Sequence, residues 1–221
     1  PYGTNTHWKV WSVEATNTRA VVTAGRLKYL SGAWVVVPWV YIVDLTSSPP
    51  QVMLENSQQH SAISSRQNPH DIAITPNGWK AVVTASGSVG LYDLTTGSLA
   101  GTVHHSNDER YWGYVVGGEP VPEDLWHSVE ASNTRAVVLS DTYTLNGPLW
   151  RVRVFDISRS LTYLRKYECP ADYPGDWAWD VDLSADGQVA SIKTRIHDLA
   201  LLDVPSADTS STPTDLFWAG A

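Results

Sequence analysis

The ten residues VEATNTRAVV, Val13 to Val22, return as VEASNTRAVV from Val129 to Val138, with one Thr-to-Ser difference. A chain carrying such a copy is built from repeated units, and such units bury their apolar faces by stacking on one another. A looser pair joins HDIAITPNGWKAVV, His70 to Val83, to WDVDLSADGQVASI, Trp179 to Ile192. All four segments share a plan. Alternating, mostly apolar residues (Trp11 and Val13, Ile72 and Ile74, His127 and Val129, Val181 and Leu183) run into a polar turn, and a second apolar run follows. Period two on both sides of a turn signals a hairpin.

A third apolar stretch then ends in an aspartate and an aliphatic residue: YIVDL at Asp44, GLYDL at Asp93, RVFDI at Asp156 and ALLDV at Asp203. A more variable fourth run comes after it. Equivalent hairpin positions, Arg19, Lys80, Arg135 and Val189, lie 61, 55 and 54 residues apart. Four strands per unit of this length describe a propeller blade, and no run shows the 3.6-residue period of a helical solenoid. The predicted fold is all-β: a β-propeller of four four-stranded blades, at approximately 7–60, 69–106, 125–169 and 177–218. It is either a closed four-bladed ring, half of a larger ring completed by a second chain, or a fragment of a six- to eight-bladed ring. The tail TPTDLFWAGA is the candidate fourth strand of the last blade. Hairpin-to-aspartate spacing alternates (25, 13, 21 and 14 residues), so the sequence reads as a copied two-blade unit and favours an even blade number.

Composition narrows the function classes. With 43% hydrophobic and 17% charged residues in 221, the chain has material for a full core. A net charge of -8 without clustered Lys and Arg argues against nucleic acid and an anionic membrane surface. Its longest apolar run, Trp34 to Val43, is interrupted by Pro38 and falls short of the about 20 residues of a spanning helix, so membrane insertion is not expected. Cys169 is the single cysteine, which rules out an intrachain disulfide and a Cys-ligated zinc site. Pro1, with neither Met nor leader before it, reads as the product of processing or truncation. Few lysines beside abundant Ser, Thr, Asn and Trp point to an extracellular or cell-surface protein.

At PHDIAITPNGWKAVVT followed by VGLYDLTTGSLAGTV the sequence resembles the YVTN-type, lactonase-like propeller repeats of bacterial and archaeal surface and secreted proteins. The likeness runs from about Trp8 to Pro205; in the first and third units Asn-Thr stands where the pattern has a Pro-Asp-Gly-like turn. It implies a propeller. Proteins with this repeat include lactonases, surface-layer proteins and metal- or quinone-dependent oxidoreductases, so it implies no single activity.

Several groups of residues are candidates for chemistry. The four aspartates Asp44, Asp93, Asp156 and Asp203, followed two or three residues on by Thr46, Thr95, Ser158 and Ser206, are expected to cap strand ends by accepting backbone N–H groups. Starts of innermost strands face a propeller's channel, which nominates His70, Asp71, Trp126, His127, Trp179 and Asp180 for metal binding or for positioning a hydrolytic water. Two histidines without a fixed-spacing carboxylate set are few ligands for a tight ion, so no metal, no cofactor and no catalytic residue is assigned. Asp172, Asp176, Asp180 and Asp182 lack calcium-loop spacing, and the adjacent His104 and His105 point to opposite strand faces.

Aromatic residues in insertions, namely Trp34, Trp39, Tyr111, Trp112 and Trp177, are candidates for a binding surface that stacks on a glycan or meets another protein chain, or else fill space between blades. The uncharged Trp34 to Tyr41 strand needs a cover, which the neighbouring blade or a second chain would provide. The sequence therefore reads as a non-enzymatic binding or structural propeller that engages another protein chain or a glycan through its insertions. The alternative is a lactonase-like hydrolase or metal-dependent enzyme with its site in the central channel.

Overall fold

The computed structural model describes residues 8–30, 33–57, 69–85, 88–104, 115–116, 119–120, 124–144, 147–168, 178–194, 199–204 and 216–219. Blade 1 is an antiparallel meander of β1 (Trp8–Ala15), β2 (Arg19–Leu30), β3 (Ala33–Asp44) and β4 (Gln51–Ser57). Blade 2 follows as β5 (Pro69–Ile74), β6 (Lys80–Ala85), β7 (Ser88–Asp93) and β8 (Ser98–His104). A short ribbon, β9 (Val115–Val116) with β10 (Glu119–Pro120), precedes blade 3, which comprises β11 (Asp124–Ala131), β12 (Arg135–Thr144), β13 (Gly147–Asp156) and β14 (Thr162–Glu168). Blade 4 is β15 (Ala178–Leu183), β16 (Val189–Thr194), β17 (Leu199–Asp203) and β18 (Leu216–Ala219). The tail thus supplies the outer strand of its own blade, as expected.

Blades stand in chain order with their first strands side by side, β1 beside β5, β5 beside β11 and β11 beside β15. This is a β-propeller arrangement, and among the described residues its four sheets do not close into a ring. Three apolar cores lie between consecutive blades. Val21, Val40 and Ile42 of blade 1 meet Ile72, Ala81, Val83 and Tyr92 of blade 2. The other face of blade 2, with Ala73, Val82, Val89 and Leu91, meets Val129, Ala131, Ala136, Val138, Phe155 and Ile157 of blade 3. On the far side of blade 3, Leu139, Trp150 and Val152 pack with Val181, Ile192 and Leu202 of blade 4. A sheet covered on both faces needs apolar residues at every position of its inner strands, so the unbroken run Ala136 to Leu139 is wholly buried.

Turn chemistry accounts for the two hairpin types in the sequence. In blades 1 and 3 the turn is short: Thr16 Oγ1 accepts from the Thr18 and Arg19 N–H groups at 3.2 and 3.0 Å, and Ser132 Oγ from Thr134 and Arg135 at 3.3 and 3.0 Å. Blades 2 and 4 have two more residues there, and the chain reverses through Gly78 and Gly187 at φ of 71° and 75°, which is open to glycine without a Cβ penalty.

The recurrent aspartates cap strand ends, as their spacing predicts. Asp44 Oδ1 accepts from the Thr46 N–H and hydroxyl at 2.8 and 2.7 Å, Asp93 Oδ1 from those of Thr95 at 2.8 and 2.6 Å, and Asp156 Oδ1 from those of Ser158 at 2.8 and 2.6 Å. The hydroxyls of Thr46 and Thr95 hold the carboxyls of Asp44 and Asp93 below the usual carboxylate range. At Asp156 burial opposes the same effect, and Ser158 with Arg135 outweighs it. The side chain of Asp203 lies outside the described residues.

Candidate functional site

Each first strand carries one extra residue relative to its partner. Register slips between Val10 and Ser12, Pro69 and Asp71, Trp126 and Ser128, and Ala178 and Asp180. The bulged residues are therefore Trp11, His70, His127 and Trp179, three of which the sequence nominated as channel candidates. A bulge re-aims the side chains that follow it. In the four blades those next residues are Ser12, Asp71, Ser128 and Asp180, an alternation of hydroxyl and carboxylate along the inner edge.

These polar groups hold blades together. Asp71 Oδ2 accepts from the Val129 N–H at 3.1 Å, across from blade 2 to blade 3. Ser128 Oγ donates to Asp180 Oδ1 at 3.3 Å, across from blade 3 to blade 4. Burial pushes the Asp71 carboxyl up, against the pull of the Val129 and Ile72 N–H groups and the Ser128 hydroxyl. Asp180 Oδ2 is further paired with Lys193 at 2.7 Å, and Lys193 reaches Asp182 at 3.5 Å. Asp180 keeps 43% of its side chain exposed. Trp179 is 56% exposed, while the side chains of His70, Trp126 and His127 lie outside the described residues.

Sequence reasoning missed Glu130. It sits half-buried in β11, two residues beyond Ser128, and its carboxyl is pushed up to about 7, first by burial and then by the charges of Asp182, Asp71, Glu14 and Asp180. The sequence places an acid here in three of the four blades, since two residues past the Ser/Asp position they read Glu14, Ala73, Glu130 and Asp182, but it does not single out Glu130 among them. Among the described residues no three His, Cys, Asp or Glu side chains are grouped so as to hold a metal ion.

Of the insertion aromatics, Trp39 is half-buried and stacks on Tyr41 with ring centroids 6.2 Å apart. Strand β3 is central from Trp39 to Asp44, where β4 pairs with it; among the described residues Pro38 pairs with Gly25 of β2 alone. The side chain of Trp34 and the whole of Tyr111, Trp112 and Trp177 lie outside the described residues. An aromatic that the sequence did not single out, Trp79, stands 63% exposed beside an open groove of about 400 Å3 between blades 1 and 2, lined also by Asn17, Arg19, Asn77 and Thr95.

Other cross-blade bonds lie away from the inner edge. Arg19 Nε donates to the Leu94 carbonyl of blade 2 at 3.2 Å, and Lys80 of blade 2 donates to the Ile157 and Ser158 carbonyls of blade 3, the latter at 2.6 Å. The Asn77 N–H donates to Asn133 Oδ1 at 3.0 Å, again from blade 2 to blade 3.

No protein-family model and no curated protein matches the sequence. Among solved structures the chain is similar to an acylaminoacyl peptidase in complex with Z-Gly-Gly-Phe-chloromethyl ketone, at 13% identity and a TM-score of 0.51 over 89% of this chain and 31% of that one. It is also similar to the C-terminal WD40 domain of Sif2 (12% identity, TM-score 0.45, 89% of this chain and 70% of that one). A third is the periplasmic gluconolactonase PpgL of Pseudomonas aeruginosa (16% identity, TM-score 0.47, 87% and 62%). At such identities the likeness is one of fold alone, shared by proteins whose names imply different roles. The chain spans about a third of the length of the first of them.

Proposed function

We propose that this chain is a binding or structural propeller, extracellular or at the cell surface, whose role is to engage another protein chain. The observation that carries this reading is a pair of sequences, alike in nine of ten residues, in different surroundings. Val129 is 1% exposed beneath blade 2, whereas its counterpart Val13 is 54% exposed on blade 1. A face made of the same residues as a packed interface has the composition of an interface. The inner-edge polar groups support the non-enzymatic side: Asp71 and Asp180 are hydrogen-bonded across blade junctions, an arrangement that fixes blades. A surface or secreted location rests on the composition and on the resemblance to YVTN-type repeats, and a glycan would find its stacking partner at Trp79.

Glu130 favours a second reading, a channel-centred hydrolase in which a carboxyl titrating near 7 acts as general acid or base. Hydrolysis of model lactones and aryl esters, measured for the unmodified protein and for Glu130→Gln, separates the two. The binding reading expects no turnover above buffer. Turnover that Glu130→Gln abolishes, with a pH limb near 7, would replace it by the hydrolase.

A further inference from the structure

On blade 1, Val13, Ala15, Ala20, Val22, Val43 and Leu45 occupy the positions of Val129, Ala131, Ala136, Val138, Phe155 and Ile157 in blade 3. The latter six form the wall that blade 2 covers, and each is at most 9% exposed. On blade 1 the wall is equally apolar; Ala20 at its centre is 9% exposed, but its rim is open, with Val13 at 54% and Leu45 at 38% exposure. What covers a blade-3 wall in this protein is a blade of the second type, and the chain has one other blade of that type with a free face: blade 4.

Resting on the reading of this chain as a protein-binding propeller, we propose that the open wall of blade 1 is covered by blade 4 of a second copy of the chain, so that two copies close an eight-bladed ring through two equivalent contacts.

The contacts that join blade 2 to blade 3 have counterparts at this junction. Asp71 accepts from the Val129 N–H; the corresponding carboxylate is Asp180, 43% exposed at the inner edge of blade 4, and the corresponding donor is Val13. The Asn77 N–H donates to Asn133; the corresponding pair is the Asp186 N–H and Asn17, both exposed. Lys80 reaches the carbonyl of Ile157; the corresponding residues are Val189 and Leu45, two apolar side chains, 44% and 38% exposed. A cation-to-carbonyl bond in one junction is thus replaced by an apolar pair in the other, each half of which is open to water in the single chain. Leu199 and Leu201 of blade 4 stand where Val89 and Leu91 of blade 2 meet the wall. Asp182 and Ser191 replace Ala73 and Val82, which makes this face more polar than that of blade 2 and lets it be solvated in the separate chain.

Within one chain the two faces do not meet, since Val13, Leu45 and Val189 all remain exposed. Among the described residues each blade is completed by four consecutive strands, and no strand passes between blades 1 and 4.

The test is mass by light scattering after size exclusion, across a dilution series of the full chain. The expected species has twice the 24.3 kDa chain mass. Two variants, Val13→Asp with Leu45→Asp on blade 1 and Val189→Glu on blade 4, are each expected to raise the dissociation constant at least about tenfold with unchanged circular dichroism. Mixed together they regain a dimer, because one junction of the mixed pair joins an unmodified blade 1 to an unmodified blade 4. A monomer at all concentrations for the unmodified protein overturns the proposal without needing any variant. A dimer that the blade-1 variant breaks and the blade-4 variant does not overturns it in favour of blade 1 packing on itself. The hydrolysis assay answers separately, so turnover would sink the binding reading even with the dimer intact.

Discussion

Replacing Glu130 by Gln removes a negative charge that the fold holds at a cost. The carboxyl ordinarily titrates near 4.5, and in the folded chain it is pushed up to about 7 by burial and by the surrounding carboxylates of Asp182, Asp71, Glu14 and Asp180. Below about pH 4.5 the group is protonated in folded and unfolded chains alike and costs nothing; from there to about pH 7 the unfolded chain ionises first, and stability falls as pH rises. Above about 7 the full cost is present. At about 1.4 kcal/mol per pH unit the ceiling is about 3 kcal/mol, and solvent screening at a half-buried side chain reduces it to about 1–2 kcal/mol. Gln keeps the shape and the hydrogen-bonding capacity without the charge. The variant is therefore expected to be more stable than the parent at about pH 8.5, by about 1–2 kcal/mol, and to match it at about pH 4.5. In thermal unfolding of a domain this size the gain is about 2–8 °C. Paired melts at fixed protein concentration at the two pH values provide the measurement. A variant less stable than the parent at the higher pH, or a difference that does not change with pH, would refute the reasoning.

Asp93→Ala is expected to cost about 1–3 kcal/mol in urea unfolding, because the Thr95 and Thr96 N–H groups lose their acceptor; binding of any partner by the folded variant should be unaffected. Gly187→Ala forces a residue with a Cβ into φ of 75° and brings that Cβ to 3.0 Å from the Cβ of Ser132, so the blade 3–blade 4 contact should weaken by at least about 1–2 kcal/mol, read as a lower melting temperature. Trp150→Ala empties a fully buried site between blades 3 and 4 and should cost about 3–5 kcal/mol; a loss under about 1 kcal/mol would mean that the junction repacks or is not formed.

Local chemistry was legible in the sequence because it depends on near neighbours. The Asp-x-Thr and Asp-x-Ser strand ends, the two hairpin lengths and the four-strand period each follow from residues a few positions apart, and Asp93, Thr95 and Gly78 do what their spacing requires. The tail's role as β18 was legible for the same reason, since each blade is completed by consecutive strands. His70 and Trp179 were nominated for where the innermost strands begin, but that each is a bulge was hidden, because one unpaired residue changes the aim of its neighbours without changing the apolar pattern.

Glu130 shows where the sequence stops. Its segment VEASNTRAVV differs from the one around Glu14 by a single methyl group, so nothing local distinguishes the two; what raises the Glu130 carboxyl is first its burial and then the charges of Asp182, Asp71, Glu14 and Asp180, which the other blades bring near. The same holds for the walls that contain them. Alternation determined that Val13 and Val129 each point out of a sheet beside their cross-strand valines. Only tertiary structure decided that one is 1% exposed and the other 54%, because burial is a property of what stands opposite a residue, and that is set by the order of blades in space.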